Sequence, residues 1–112
     1  GVAIFNPCFL LGGAGFGIKV VSDFYDNEKK QVPRMSALVV LFDGATGHPK
    51  TMMEAGYLTD LRTGAGTGLA ARHLARRDSR TVAIVGAGRV ARNQLEALAT
   101  LLQHVDCVVA NA

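Results

Sequence analysis

The sequence predicts an α/β chain in two parts, and three observations carry that expectation. Two β-branched apolar runs, GIKVVS at 17–22 and MSALVVLF at 35–42, come before any helical pattern. From Tyr57 onward Leu58, Leu61, Leu69, Ala70, His73 and Leu74 fall mostly at helical spacing. The last third then runs strand, glycine-rich turn, helix, strand, which is the order of a βαβ unit.

Each element follows from local chemistry. GIKVVS carries Lys19 inside an apolar strand, and the polar stretch DFYDNEKKQVPR after it predicts an exposed loop. MSALVVLF ends at DGATGHPK, where Asp43, Gly44, Gly47 and Pro49 supply turn chemistry. Thr51–Glu54 is expected to return as a short antiparallel strand. Residues 57–77 are expected to be helical, with Arg72, Arg76 and Arg77 near the end where they suit the helix dipole. Gly64, Gly66 and Gly68 each cost about 0.5–1 kcal/mol against Ala in a helix interior, so close packing or close ligand approach is expected to explain them. Thr81–Val85 is a short buried strand, Leu95, Leu98, Leu101 and Leu102 line one face of a helix starting near Val90, and Val105–Ala110 is a further strand.

Composition narrows the class. The chain has 112 residues, 49% hydrophobic and 19% charged, enough to form a core and too short for two complete domains. Twelve Lys and Arg against nine Asp and Glu give a net charge of +3. The excess gathers at Arg72, Arg76, Arg77, Arg80, Arg89 and Arg92, which cross a helix end, a turn and a strand without interleaved aromatics. A small ligand's phosphate is therefore expected before nucleic acid. Cys8 and Cys107 stand far apart among apolar residues, which argues for buried thiols in a reducing, cytoplasmic compartment and against a disulfide or zinc site. The uncharged opening, residues 1–18, is broken by Asn6, Pro7 and glycines well short of the roughly 20 residues of a membrane span. It lacks a basic start and an initiator Met, so no signal peptide is expected, and the chain is expected to begin partway through a larger protein.

The GxGxxG pattern alone is weak, and two look-alikes fail on context. Gly12, Gly13, Gly15 and Gly17 have no helix after them, and Gly64, Gly66 and Gly68 follow a helix rather than a strand. Gly86, Gly88 and Ala91 pass, because TVAIV precedes them and an amphipathic helix follows. Gly86 permits the tight turn, Gly88 lets the backbone approach a pyrophosphate, and Ala91 keeps helix and strand close. The helix N-terminus then offers unpaired N–H groups to the anion. A ligand-free glycine turn is the plainer alternative. The strand-end position that usually carries an Asp or Glu for the ribose holds Asn111. Asn does not repel a 2′-phosphate, and Arg89 lies in the turn, so NADP(H) is favoured no less than NAD(H). Arg89 is equally readable as a solvated arginine.

Three segments in this order resemble the ornithine cyclodeaminase/mu-crystallin family: GIKVVS at 17–22, GYLTDLRTGAGTGLAARHLA at 56–75, and TVAIVGAGRVARNQLEAL at 81–98. The resemblance implies a fragment joining part of an α+β substrate/dimerisation domain, residues 1–77 with a connecting helix, to the first βαβ of a Rossmann domain, residues 78–112, incomplete. It implies a cytoplasmic, homodimeric, NAD- or NADP-dependent oxidoreductase or cyclodeaminase, active on an amino acid or cyclic imine in amino acid metabolism. The rival within the family is a binding protein for NADPH and small ligands without turnover, as in mu-crystallin. By resemblance Lys19 binds the substrate carboxylate, Arg62 contacts carboxylate and cofactor, Arg89 and Val90 touch the dinucleotide beside Gly86 and Gly88, and Asn111 faces its ribose. On the residues alone, Lys19 is a strand-end lysine reaching water and Arg62 a helix surface arginine. The family's catalytic Asp would lie beyond Ala112, and a further substrate-binding Arg before residue 1. Where the family often has a cofactor-reaching Thr, this chain has Arg34, with Ser36 two places later as a possible hydroxyl substitute.

Overall fold

A computed structural model describes residues 1–13, 15–101 and 106–110. The chain forms two compact units, Gly1–Gly56 and Tyr57–Ala112. The first is an antiparallel four-stranded sheet in the order β1-β2-β3-β4, with β1 Val2–Leu10, β2 Gly15–Asp23, β3 Met35–Phe42 and β4 Pro49–Glu54. The second carries α1 Gly56–Leu74, β5 Thr81–Val85, α2 Arg89–Leu101 and β6 Asp106–Ala110, with β5 and β6 paired in parallel.

The expected strands are present, and β2 and β4 are longer than their apolar runs. β1 is the element that the sequence did not announce. It pairs along its whole length with β2, from Val2 opposite Asp23 to Leu10 opposite Gly15. Pro7 is tolerated there because β1 is an edge strand, where a missing N–H breaks no central ladder. The look-alike glycines form its hairpin: Gly12 and Gly13 have positive φ in the turn, and Gly15 opens β2. The loop after β2 contains a short 3-10 helix, Tyr25–Lys30.

The buried apolar residues of the first unit are Val21, Ala37, Val39 and Ala55. Strand alternation places Lys19, Val21, Val39 and Ala37 on one face of the sheet, since Lys19 pairs with Val39 and Val21 with Ala37. Lys19 is therefore in the middle of β2, not at a strand end, and is half-buried. Cys8 is exposed and Cys107 half-exposed, so the expectation of buried thiols is corrected: Cys8 lies on the edge strand β1, all of whose side chains are exposed.

In the second unit α1 ends at Leu74, short of the expected residue 77. Ala75 still donates its N–H to the Ala71 carbonyl, and a turn from Arg76 to Ser79 then redirects the chain. Two of the three α1 glycines are packing positions. A Cβ on Gly64 would lie 2.6 Å from the backbone of Asn93, and one on Gly68 would lie 3.0 Å from the Ala97 Cβ, so α2 crosses α1 at backbone distance. Gly66 meets nothing within 4 Å. Beside the crossing, Gln94 donates through Nε2 to the Thr67 hydroxyl at 3.1 Å. Ile84 is buried on β5, but Thr81, Ala83 and Val85 are exposed, so the expectation of a buried strand is corrected; on α2 Leu98 is buried.

Candidate dinucleotide and substrate sites

The phosphate-binding candidate is built from β5, the turn and the start of α2. Gly86 has φ +95, a conformation that favours glycine, and this lets the chain leave β5 and enter α2 within three residues. A Cβ at Gly88 would meet no atom within 4 Å, so the turn is open on that side. Arg92 donates its N–H to the Gly88 carbonyl at 3.2 Å, closing the first turn of the helix. The N–H groups ahead of it lack intrahelical partners, as at any helix N-terminus. The chain here therefore fits a pyrophosphate: a positive-φ glycine, an open glycine and a helix N-terminus on a parallel βαβ unit.

Arg89 is not merely solvated. Its Nε lies 3.1 Å from Oδ2 of Asp60 on α1, and the Asp60 side chain is 8% exposed while that of Arg89 is 74% exposed. Asp60 was no candidate in the sequence, because nothing local ties it to a residue so distant along the chain. Val90 is half-buried. Asn111 lies outside the described residues.

In the first unit, a hollow of about 350 Å³ is lined by Asn6, Cys8, Gly17, Lys19, Leu41 and Lys50, among others. Gly17 and Lys19 share a sheet face by the two-residue alternation of a strand, and a Cβ at Gly17 would meet the Val40 carbonyl oxygen at 2.7 Å and the Leu41 side chain at 2.9 Å, so β3 packs closely there. Lys50 is engaged by Asp43, Nζ to Oδ2 at 3.0 Å. Arg62 sits on α1, exposed, and makes no ion pair among the described residues. Arg34 is committed elsewhere. It donates from Nε and Nη2 to the two Asp23 carboxylate oxygens at 2.8 and 3.1 Å and lies 4.1 Å over the Tyr25 ring. That pairing holds the Asp23 carboxyl below its ordinary range and raises Arg34. Ser36 is exposed, and its carbonyl accepts from the Ser22 hydroxyl at 3.5 Å.

Comparison with known proteins places the chain in a family. The model of the ornithine cyclodeaminase/mu-crystallin family matches residues 4–110. The alanine dehydrogenase of Archaeoglobus fulgidus is 44% identical over 92 residues, 82% of this chain and 28% of that protein. Among solved structures, an archaeal alanine dehydrogenase dimer with bound NAD superposes with a TM-score of 0.87 at 32% identity, covering 99% of this chain and 37% of that one. The Thermococcus litoralis Delta(1)-pyrroline-2-carboxylate reductase in complex with NADH and L-proline gives 0.77 at 32% identity, covering 97% and 39%. The chain spans 28–30% of the length of the curated relatives it matches. No helix among the described residues is long and apolar enough to cross a membrane.

Proposed function

Because the chain belongs to the ornithine cyclodeaminase/mu-crystallin family, we propose that it serves a cytoplasmic, homodimeric NAD(P)-dependent oxidoreductase or cyclodeaminase acting on an amino acid or cyclic imine. Residues 1–77 belong to the substrate and dimerisation part, with α1 as the connector, and residues 78–112 open the dinucleotide-binding part. The observation that carries this reading is the turn itself, with Gly86 at φ +95 and open space over Gly88 between a parallel strand and a helix N-terminus. Relatives with bound NAD and NADH support the cofactor class, and an archaeal relative solved as a dimer supports the assembly.

When bound, the nicotinamide supplies or takes up a hydride at the substrate carbon. The chain's own residues position the reactants. Gly86 and Gly88 would admit the pyrophosphate to backbone N–H groups, Arg89 and Val90 would contact the dinucleotide, and Asn111 is the residue that would serve its ribose. Lys19 places a point charge on the substrate carboxylate, and Arg62 contacts carboxylate and cofactor. Holding the carboxylate orients the reacting carbon while leaving the α-nitrogen free.

Replacing Gly88 by Val tests the reading. The new side chain would enter the pyrophosphate space, so calorimetric titration should show severe loss of both NADH and NADPH binding. Unchanged affinity for both would remove the assignment.

A further inference from the structure

Asp60 is a carboxylate taken out of water, and a buried charge persists only when another charge or hydrogen-bond donors compensate it. Its side chain is 8% exposed, and its ion-pair partner among the described residues is Arg89, the residue directly after Gly88. The contact is made at Nε, the inner nitrogen of the guanidinium, at 3.1 Å. Arg89 nevertheless remains 74% exposed, so the outer end of the fork is open to solvent. The two residues border one hollow of about 360 Å³, with Tyr57, Arg92, Asn93 and Glu96. Arg92 is paired there with Glu96, Nε to Oε1 at 3.0 Å, as Arg89 is with Asp60, and of the two arginines Arg89 is the one that directly follows Gly88.

We propose that Asp60 is the positioning residue of the phosphate-binding turn: by pairing with Nε it fixes the Arg89 guanidinium so that its Nη groups meet the dinucleotide pyrophosphate. The inference rests on the dinucleotide reading and extends it to a residue on the preceding helix. An exposed arginine samples many rotamers, and each must be given up when it binds an anion. An arginine already held at one nitrogen loses less on binding, and its rigid fork can bridge a carboxylate and a phosphate at once. A lysine could serve either partner but not both in that geometry. Asp60 also lowers the positive potential at the turn, a loss that the gain in order must outweigh.

The test uses the full-length protein and four probes: NADH, NADPH, ADP-ribose and adenosine. In Asp60→Asn, affinity for the three pyrophosphate-containing probes should fall on the order of tenfold, the usual worth of a well-placed charge-assisted contact. Adenosine affinity should stay unchanged, which a general loosening of the fold would not allow. Arg89→Lys keeps a cation against the buried carboxylate and so protects folding, yet it should show the same loss. Asp60→Asn combined with Arg89→Lys should lose no more than either alone. Unchanged or tighter pyrophosphate binding in Asp60→Asn, or an equal loss of adenosine, would overturn the proposal. Failure of the unaltered protein to bind NADH or NADPH would instead strike the dinucleotide reading on which it rests.

Discussion

Lys19 shows what a single position can and cannot announce. A lysine within GIKVVS is visible in the sequence, but its central place in β2, opposite Asn6 and Val39, depends on two partner strands. One of these, β1, was not expected. If Lys19 holds the substrate carboxylate, as proposed, Lys19→Met should lower kcat/KM by on the order of 10²-fold, about 3 kcal/mol of transition-state stabilisation. Steady-state kinetics on the substrate amino acid or imine would show it, and a change under threefold would remove Lys19 from the site. Arg34 carries the opposite lesson. It stands where the family often has a cofactor-reaching Thr, a departure that argued against a cofactor contact there, and the structure engages it with Asp23 and Tyr25. Arg89 also acquires a partner that could not be read, the Asp60 carboxylate on α1. Asn111 still lacks the carboxylate that repels a 2′-phosphate. Asn111→Asp should shift preference toward NAD(H) in paired NADH and NADPH titrations, and a protein already strongly selective for NAD(H) would show that the position was misread.

Local elements were readable where their cause is local. β3 and β5 match their apolar runs residue for residue, Met35–Phe42 and Thr81–Val85, because hydrophobic alternation and flanking turn residues are sufficient there. β1 escaped because Asn6 and Pro7 break the strand signature, and only its pairing with β2 supplies what propensity lacks. The glycines of α1 lie between these cases. Their number signalled close approach, but which of them are approached depends on where α2 crosses. Gly64→Ala would drive a Cβ to 2.6 Å from the Asn93 backbone, where no side-chain rotation gives relief. It should destabilise by about 1–3 kcal/mol, the usual range for overpacking. Gly66→Ala enters open space in the same helix and should stabilise by about 0.5–1 kcal/mol, since only the entropic cost of glycine is removed. Denaturant titration of the two variants should therefore move their midpoints in opposite directions. Shifts of the same sign would show that the α1–α2 crossing is looser than the structure has it.

For the chain as a whole, the α/β class and the βαβ order came from periodicity, while the division at Gly56 came from contacts that no local pattern records. That division places two anchored carboxylates in the first unit, one at each end of β3. Asp23 lies opposite Met35 at its start and is gripped by Arg34. Asp43 follows Phe42 at its end, where it pairs with Lys50 at 3.0 Å and accepts from the Thr46 and Ala45 N–H groups and the Thr46 hydroxyl. The Lys50 ammonium first, and then these donors, hold the Asp43 carboxyl far below its usual range; Arg34 lowers Asp23. A carboxyl whose folded pKa is depressed stabilises the fold fully above its unfolded pKa, near 3.9, and loses that contribution as pH falls toward the folded value. Both connections of β3, the loop from β2 and the turn into β4, therefore weaken together in acid. Thermal melts followed by circular dichroism should show a midpoint that is flat above about pH 5 and falls steadily below about pH 4. Asp43→Asn keeps the side chain's size but cannot ionise, so it should melt lower than the unaltered protein at neutral pH and converge with it in acid. A constant gap between the two curves across that range would mean that the charge on Asp43 does not secure the β3–β4 turn.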